Sequence, residues 1–385
     1  MSRPYLITLT PLRGIAALLV VVFHFNMLVM PVIDPAVTQL HRRWYLLVDF
    51  FFILSGFIIT YVYGSWFEER VAGGVFRRYM AARFARIYPM HLVTLLWIIG
   101  LYSLIKAYGI TLKPQDQVVF DTSAIPMHVL MVQGFNTVRS GTWNLPSWSI
   151  GSEWLLYLVF PGLMIGFRRL SSVGRYALLL VVAALYVYLE QSVRPGAPLK
   201  PWLWRLPDTI DDITFPKSFL RCLAGFLLGM VTHHAYTRAW GRQWIGRSRT
   251  FAVLGICLIV SYHLLVPDTI TIWFFPLLIL SASFNNGRIA GYLQTRPLQR
   301  LGDWSYSIYM VHIPILFSFL AVQLINAPAQ PAPAKPVEYG LVGPIVCLVY
   351  VMLVLLVSSV TYRFVEVPAR NYLNAKLKSR PLAVA

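Results

Sequence analysis

Charge is what this chain has least of. Only 12% of its 385 residues are Asp, Glu, Lys or Arg, roughly half the share of a soluble globular protein. Acidic residues are scarcer than basic ones, 15 against 33, which leaves a net charge of +18. Cysteine is nearly absent. Cys222, Cys257 and Cys347 each lie in an apolar segment, without disulfide or metal-ligand spacing, so small apolar packing is expected of them and no metal. No small-residue cleavage site follows the first apolar run, so that run is expected to be retained. The basic residues form short clusters between apolar segments and no continuous basic face, so nucleic acid is not an expected partner.

What fills the chain is hydrophobic: 57% of residues, with a mean hydropathy of +0.63. The run Gly14 to Phe25 has His24 as its one titratable basic or acidic group, and Leu341 to Val360 has none. These features exclude a soluble enzyme. A spanning helix needs about 20 mostly apolar residues. That length places spans near 12–33, 46–63, 87–107, 148–167, 176–192, 218–236, 251–266, 270–284, 304–323 and 341–361. The fold expected is an all-α, polytopic transmembrane bundle of about ten spans. Residues 1–375 form the membrane domain and 376–385 a short cytoplasmic tail.

The direction follows from the arginines. One set of loops holds the groups Arg70–Arg86, Arg168–Arg175, Arg238–Arg249, Arg288–Arg300 and Arg363–Arg380. The positive-inside rule puts this richer set, with both termini, in the cytoplasm. The apolar stretch 125–135 is too short to cross and reads as re-entrant or interfacial. The loops near 108–147 and 193–217 then lie outside, with the Pro/Ala-rich stretch 326–336 as an extended connector. Trp143, Trp148, Trp202 and Trp204 in or beside these loops read as interfacial anchors before they read as sugar platforms.

An ionisable residue inside a span is costly and is a functional hypothesis by default. Arg13 and His24 lie eleven residues apart, on one helix face and about 16 Å apart along the axis. The span 12–33 puts Arg13 at the cytoplasmic edge and His24 about halfway across. An arginine there can hold a phosphate bidentately, and a histidine can move a proton near neutral pH. A snorkelling Arg13 and a His24 bonded to a neighbouring helix is the plainer alternative. In Ser147-Trp148-Ser149-Ile150-Gly151-Ser152-Glu153, either serine can cap a helix with Glu153 near its positive end. Alternatively Glu153 faces an outer cavity and polarises a hydroxyl. His312, followed by Pro314, reads as packed or catalytic; the proline frees a carbonyl and permits a kink. Asp49 reads as an interfacial charge, and the Ser55-Gly56 pair as a site of close helix packing. Arg77 and Arg78 are topology signals, whereas Arg83 and Arg86 share a helix face and suit a phosphate.

The ordered series of motifs is distinctive. Leu12-Arg13-x10-His24 is followed by Asp49-Phe50-Phe51-Phe52-Ile53-Leu54-Ser55-Gly56-Phe57 and Arg83-x-x-Arg86-Ile87-Tyr88-Pro89. Next come Trp148-Ser149-x3-Glu153-x3-Tyr157, Ser305-Tyr306-Ser307-Ile308-Tyr309-x2-His312-x-Pro314 and Val365-Glu366-x-Pro368. From about Leu9 to Arg370 this resembles the membrane-bound acyltransferase family 3, which includes O-antigen and exopolysaccharide O-acetyltransferases. Two departures are Thr10-Pro11, where Asp-Gly is frequent, and Gly151, where a larger residue is common. An extra hydrolase-like C-terminal domain, present in some members, is not expected here.

The resemblance implies a multi-pass enzyme of the bacterial inner membrane. Such an enzyme moves an acyl group, usually acetyl, from cytoplasmic acyl-CoA to a hydroxyl of an extracytoplasmic polysaccharide or lipid-linked glycan. It implies that Arg13, Arg83 and Arg86 hold the CoA phosphates and that His24 is catalytic, with Glu153 and His312 at further important positions. His24 acts as general base or as acyl-carrying nucleophile, the base being favoured. Membrane lipid is a further expected partner, and a homo-oligomer is compatible with the sequence. The rival reading is a transporter or flippase of a lipid-linked glycan that uses buried His and Glu as a proton relay. The absence of an internal repeat argues against it.

Overall fold

The computed structural model describes residues 6–113, 117–135, 141–192, 210, 213, 215–326 and 340–378. Among these the chain is helical, without a strand. The longer helices are α1 (Leu9–Leu28), α2 (Leu47–Tyr63), α3 (Gly73–Ala107), α4 (Ser147–Arg169) and α5 (Ser172–Ser192). They continue with α6 (Lys217–Thr237), α7 (Ser248–His263), α8 (Phe274–Phe284), α9 (Ser305–Asn326), α10 (Val342–Thr361) and α11 (Val367–Lys378). Seven of the helical segments, those containing α1 to α5, α9 and α10, are long and apolar enough to cross a membrane. The chain is an all-α, multi-pass membrane protein. The other three predicted spans are helical as well, at α6, at α7 and over Asp268–Phe284, the last two being shorter apolar helices. The Pro/Ala-rich stretch from 327 on, Trp202, Trp204, Arg3 and residues 379–385 of the tail lie outside the described residues.

Two expectations need adjustment. The first span is shorter than 12–33, because α1 stops at Leu28. Pro31 disfavours helix in the residue before it, and the Asn26 side-chain oxygen turns the chain by accepting from the Val32 amide at 2.7 Å and the Ile33 amide at 3.3 Å. His24 therefore has only four helical residues beyond it and sits toward the C-terminal end of α1, not halfway. Asp49 is also more than an interfacial charge. It is fully buried and meets the equally buried Arg221 of α6 through bonds of 2.7 and 3.1 Å. Arg221 in turn lies over the Trp148 ring at 5.5 Å.

The stretch 125–135 holds no helix long enough to cross. It forms the short helix Ile125–Val129 and a 3-10 turn at Gln133–Phe135, a rise of only about 8 Å for the five helical residues. It packs on the start of α4, where a Cβ on Gly151 would stand 2.9 Å from the Gly134 amide nitrogen. The departure at Gly151 thus matches a backbone-to-backbone contact that a larger residue would obstruct.

Glycine also sets the contact between α2 and α6. Gly225 and Gly229 are spaced as a small-xxx-small motif opposite Gly56, as the Ser55-Gly56 pair suggests. A Cβ on Gly229 would lie 2.6 Å from the Phe57 nitrogen and 2.9 Å from the Gly56 Cα. This close approach lets Asp49 reach Arg221. Similarly Gly14, next to Arg13, is pressed against the short helix Arg296–Asp303, with the Gly302 nitrogen 2.7 Å from where its Cβ would stand.

Glycine-to-alanine substitution normally favours a helix by about 0.5–1 kcal/mol. That gain is expected at Gly255 of α7, which has open space around it. Gly229→Ala should instead destabilise by about 1–3 kcal/mol through overpacking. Thermal unfolding in detergent measures both signs, and a stabilising Gly229→Ala would contradict the packing described.

Candidate active site

Five helices, α1, α2, α3, α4 and α9, surround a cavity of about 160 Å³. Its lining follows α2 from Val48 to Ile59, about 16 Å along the axis. Arg13, Arg83 and Arg86 line it together with Glu153. Four of the six predicted site residues thus share one chamber, and Glu153 faces a cavity that the arginines also line.

Each cation is held differently. The Arg83 guanidinium donates to the Tyr63 hydroxyl at 2.7 Å and lies over the Tyr63 and Tyr157 rings at 4.8 and 5.8 Å. Arg86 forms an ion pair with Glu366, which is 1% exposed, and lies 5.6 Å over the Tyr306 ring. Glu366 also accepts from the Ser307 hydroxyl at 2.8 Å. It belongs to an irregular π-helical turn, Tyr362–Glu366, that joins α10 to α11. Such turns are frequent at functional sites. Arg13 reaches the same cavity from α1, beside the Gly14 contact.

Glu153 does not serve a helix cap. The α4 N-cap is Pro146 and makes no side-chain bond, while Ser149 bonds the Pro146 carbonyl at 2.9 Å and the Tyr309 hydroxyl at 2.8 Å. Glu153 lies six residues into α4 and accepts from the Tyr157 hydroxyl at 2.6 Å, one helical turn on. Arg83, Tyr157 and Glu153 therefore form a continuous polar wall.

His24 and His312 meet each other, which makes the pair more than two separately packed histidines. His312 Nε2 is 3.2 Å from His24 Nδ1, and the rings are 4.9 Å apart. His24 Nδ1 also lies 2.9 Å from the Val20 carbonyl. A carbonyl only accepts, so Nδ1 carries the proton and Nε2 keeps its lone pair; the tautomer is assigned from these partners. Neither histidine lines the cavity. Tyr309 does, and its ring lies 5.9 Å from that of His312. Among the described residues no three His, Cys, Asp or Glu side chains converge as on a metal ion, and Cys222, Cys257 and Cys347 are free thiols.

A family profile described as an acyltransferase domain matches residues 8–363. The chain belongs to the acyltransferase 3 family. It is similar to acyltransferase MdmB of Streptomyces mycarofaciens, with 28% identity over 335 residues, covering 80% of this chain and 78% of that one. It is also similar to protein 2 in the picA locus of Rhizobium radiobacter, with 37% identity over 107 residues, or 28% of this chain and 47% of that protein. No solved structure matches significantly. Acyl transfer is therefore the activity class, and the transporter alternative gains no support.

Two participants were not singled out as site residues from sequence. Glu366 carried a signal in its Val-Glu-x-Pro motif, but nothing local connects it to Arg86, 280 positions earlier in the chain. Arg221 was an arginine inside a predicted span, and the buried Asp49 was its natural counterpart. Arg86→Ala should leave the buried Glu366 carboxylate with only the Ser307 hydroxyl and the more distant Arg370 guanidinium, 3.9 Å away, and cost up to about 3–5 kcal/mol. Adding Glu366→Gln should return at least about half of that loss, as read by thermal unfolding. Equal stability of the single and double variants would contradict the pairing.

Proposed function

We propose that this acyltransferase carries an acyl group, most simply acetyl, from acyl-CoA on the cytoplasmic side to a hydroxyl of an extracytoplasmic glycan, a polysaccharide or lipid-linked precursor. Residues 1–375 are the membrane domain, with ten spans in the bacterial inner membrane, both termini inside and 376–385 a cytoplasmic tail. The observation that carries this reading is the convergence of Arg13, Arg83, Arg86 and Glu153 on one elongated cavity that adjoins the His24–His312 pair.

The chemistry follows from where charge is tolerated. The phosphates of acyl-CoA do not enter hydrocarbon, so they stay with Arg13, Arg83 and Arg86 while the pantetheine arm extends along the chamber. Arg83 is held by tyrosine hydroxyl and ring contacts, and an incoming phosphate would share its charge with Glu153, which lines the same chamber. Arg86 has five N–H donors, so the edge not used by Glu366 remains available. Shifting Tyr309 joins the chamber to the histidines. His24 Nε2 then takes the proton of the acceptor hydroxyl, whose oxygen attacks the thioester carbonyl. The C–S bond breaks, and the imidazolium returns the proton to the departing thiolate, giving ester and free CoA. The Nδ1 bond to Val20 supports the base role, because it fixes the tautomer with its lone pair on Nε2. Glu153, bonded by Tyr157, shapes the polar side of the chamber.

The test uses purified protein in nanodiscs, with acetyl-CoA turnover and binding measured together. His24→Ala should lower turnover by about 10²–10⁴-fold, the range of a lost acid–base group, with donor binding kept. Normal turnover in that variant would overturn the assignment. Arg83→Ala with Arg86→Ala should raise the donor KM by about tenfold or more, since charge-assisted bonds contribute about 1.5–3 kcal/mol each. An unchanged KM would remove both from the donor site.

A further inference from the structure

Pro314 sits inside α9, and the helix continues through it to Asn326. Proline has no N–H, so the carbonyl four residues earlier, that of Met310, has lost its helical donor. Left unpaired in a buried bundle, such a carbonyl costs about 1–3 kcal/mol. Asn144 supplies the missing donor. Its Nδ2 lies 3.1 Å from the Met310 carbonyl and 3.2 Å from Thr94 Oγ1 of α3. Both contacts fix the amide's orientation. The carbonyl only accepts, and the Thr94 hydroxyl already donates to the Met90 carbonyl at 2.9 Å.

The position of this latch is what gives it consequence. Asn144 is 1% exposed and lies just before α4, in the segment that leads into Pro146 and Ser147. The next turn of that segment grips α9 again, as the Tyr309 hydroxyl donates to the Pro146 carbonyl at 3.2 Å. His312 is two residues beyond Met310. Its own carbonyl accepts from the Tyr350 hydroxyl of α10 at 2.9 Å. The turn of α9 that carries His312 is therefore pinned from two sides, and only the Asn144 contact fills a position that a backbone amide would otherwise occupy.

We infer that Asn144 is a positioning residue for His312: by taking the carbonyl that Pro314 frees, it fixes the turn of α9 that sets His312 against His24. The inference rests on the His24–His312 pair being the reacting centre. It also ties the segment 144–146 before α4 to that centre.

The test is a cycle between Asn144 and Pro314, in which Pro314→Ala restores the backbone donor and makes Asn144 redundant. Asn144→Leu, close in shape but without a donor, should lower kcat by about tenfold, one lost buried partner. The donor KM should stay within about twofold, because the arginines are untouched. Pro314→Ala alone should keep kcat within about threefold of wild type, and in its background Asn144→Leu should cost less than about threefold. If Asn144→Leu does not accumulate in the membrane, Asn144→Ala takes its place in the same cycle. Wild-type kcat in the Asn144 variant, an equal loss in both backgrounds, or an inactive Pro314→Ala would each overturn the inference. His312→Ala separates it from its premise. Full turnover in His312→Ala would remove the reading of the histidine pair, whereas an inactive His312→Ala with a flat cycle would remove the Asn144 inference alone.

Discussion

Everything at this site depends on keeping cations inside an apolar bundle. An isolated guanidinium in hydrocarbon is expensive, and the arginines in and beside this site are each held differently. Arg221 is neutralised outright by Asp49, with both side chains fully buried. Arg86 is compensated on one edge by Glu366. Arg83 is held by tyrosine hydroxyl and ring faces, which stabilise a cation without cancelling it. The gradation separates structural charge from charge disposed toward an anion in the cavity. It also explains why two carboxylates distant in the chain, Asp49 and Glu366, belong to one account.

Such pairs need backbones to approach closely, which is where glycine and proline enter. Gly56, Gly225 and Gly229 bring α2 against α6 so that Asp49 meets Arg221, and Gly14 lets the short helix before α9 abut α1 beside Arg13. Without a strong hydrophobic drive between helices in lipid, this packing supplies much of the cohesion. Pro314 adds local freedom in α9, and its unpaired carbonyl is answered from a neighbouring segment, as membrane helices require.

Much of this was legible in the sequence because hydropathy and helix periodicity act locally. The helical segments, the short stretch 125–135, the shared face of Arg83 and Arg86, and close packing at Ser55-Gly56 all follow from neighbouring residues. What the sequence did not disclose depends on contacts between distant segments. The end of α1 is set by Asn26 and Pro31, which moved His24 away from mid-span. That Tyr309 and not His312 lines the cavity depends on how α9 packs on its neighbours, including the Ser149 hydroxyl of α4. The Glu153 capping alternative failed because the helix starts two residues before Ser149, leaving Glu153 too far in for the first turn.

The central claim is that the arginine-lined chamber holds an anionic acyl donor by its phosphates. Calorimetric titration of the nanodisc-embedded protein with CoA, 3′-dephospho-CoA and pantetheine tests it directly. The account predicts that affinity falls at each loss of phosphate, weakens with added salt, and is absent for pantetheine. Pantetheine binding as tightly as CoA, or CoA failing to bind at all, would contradict it.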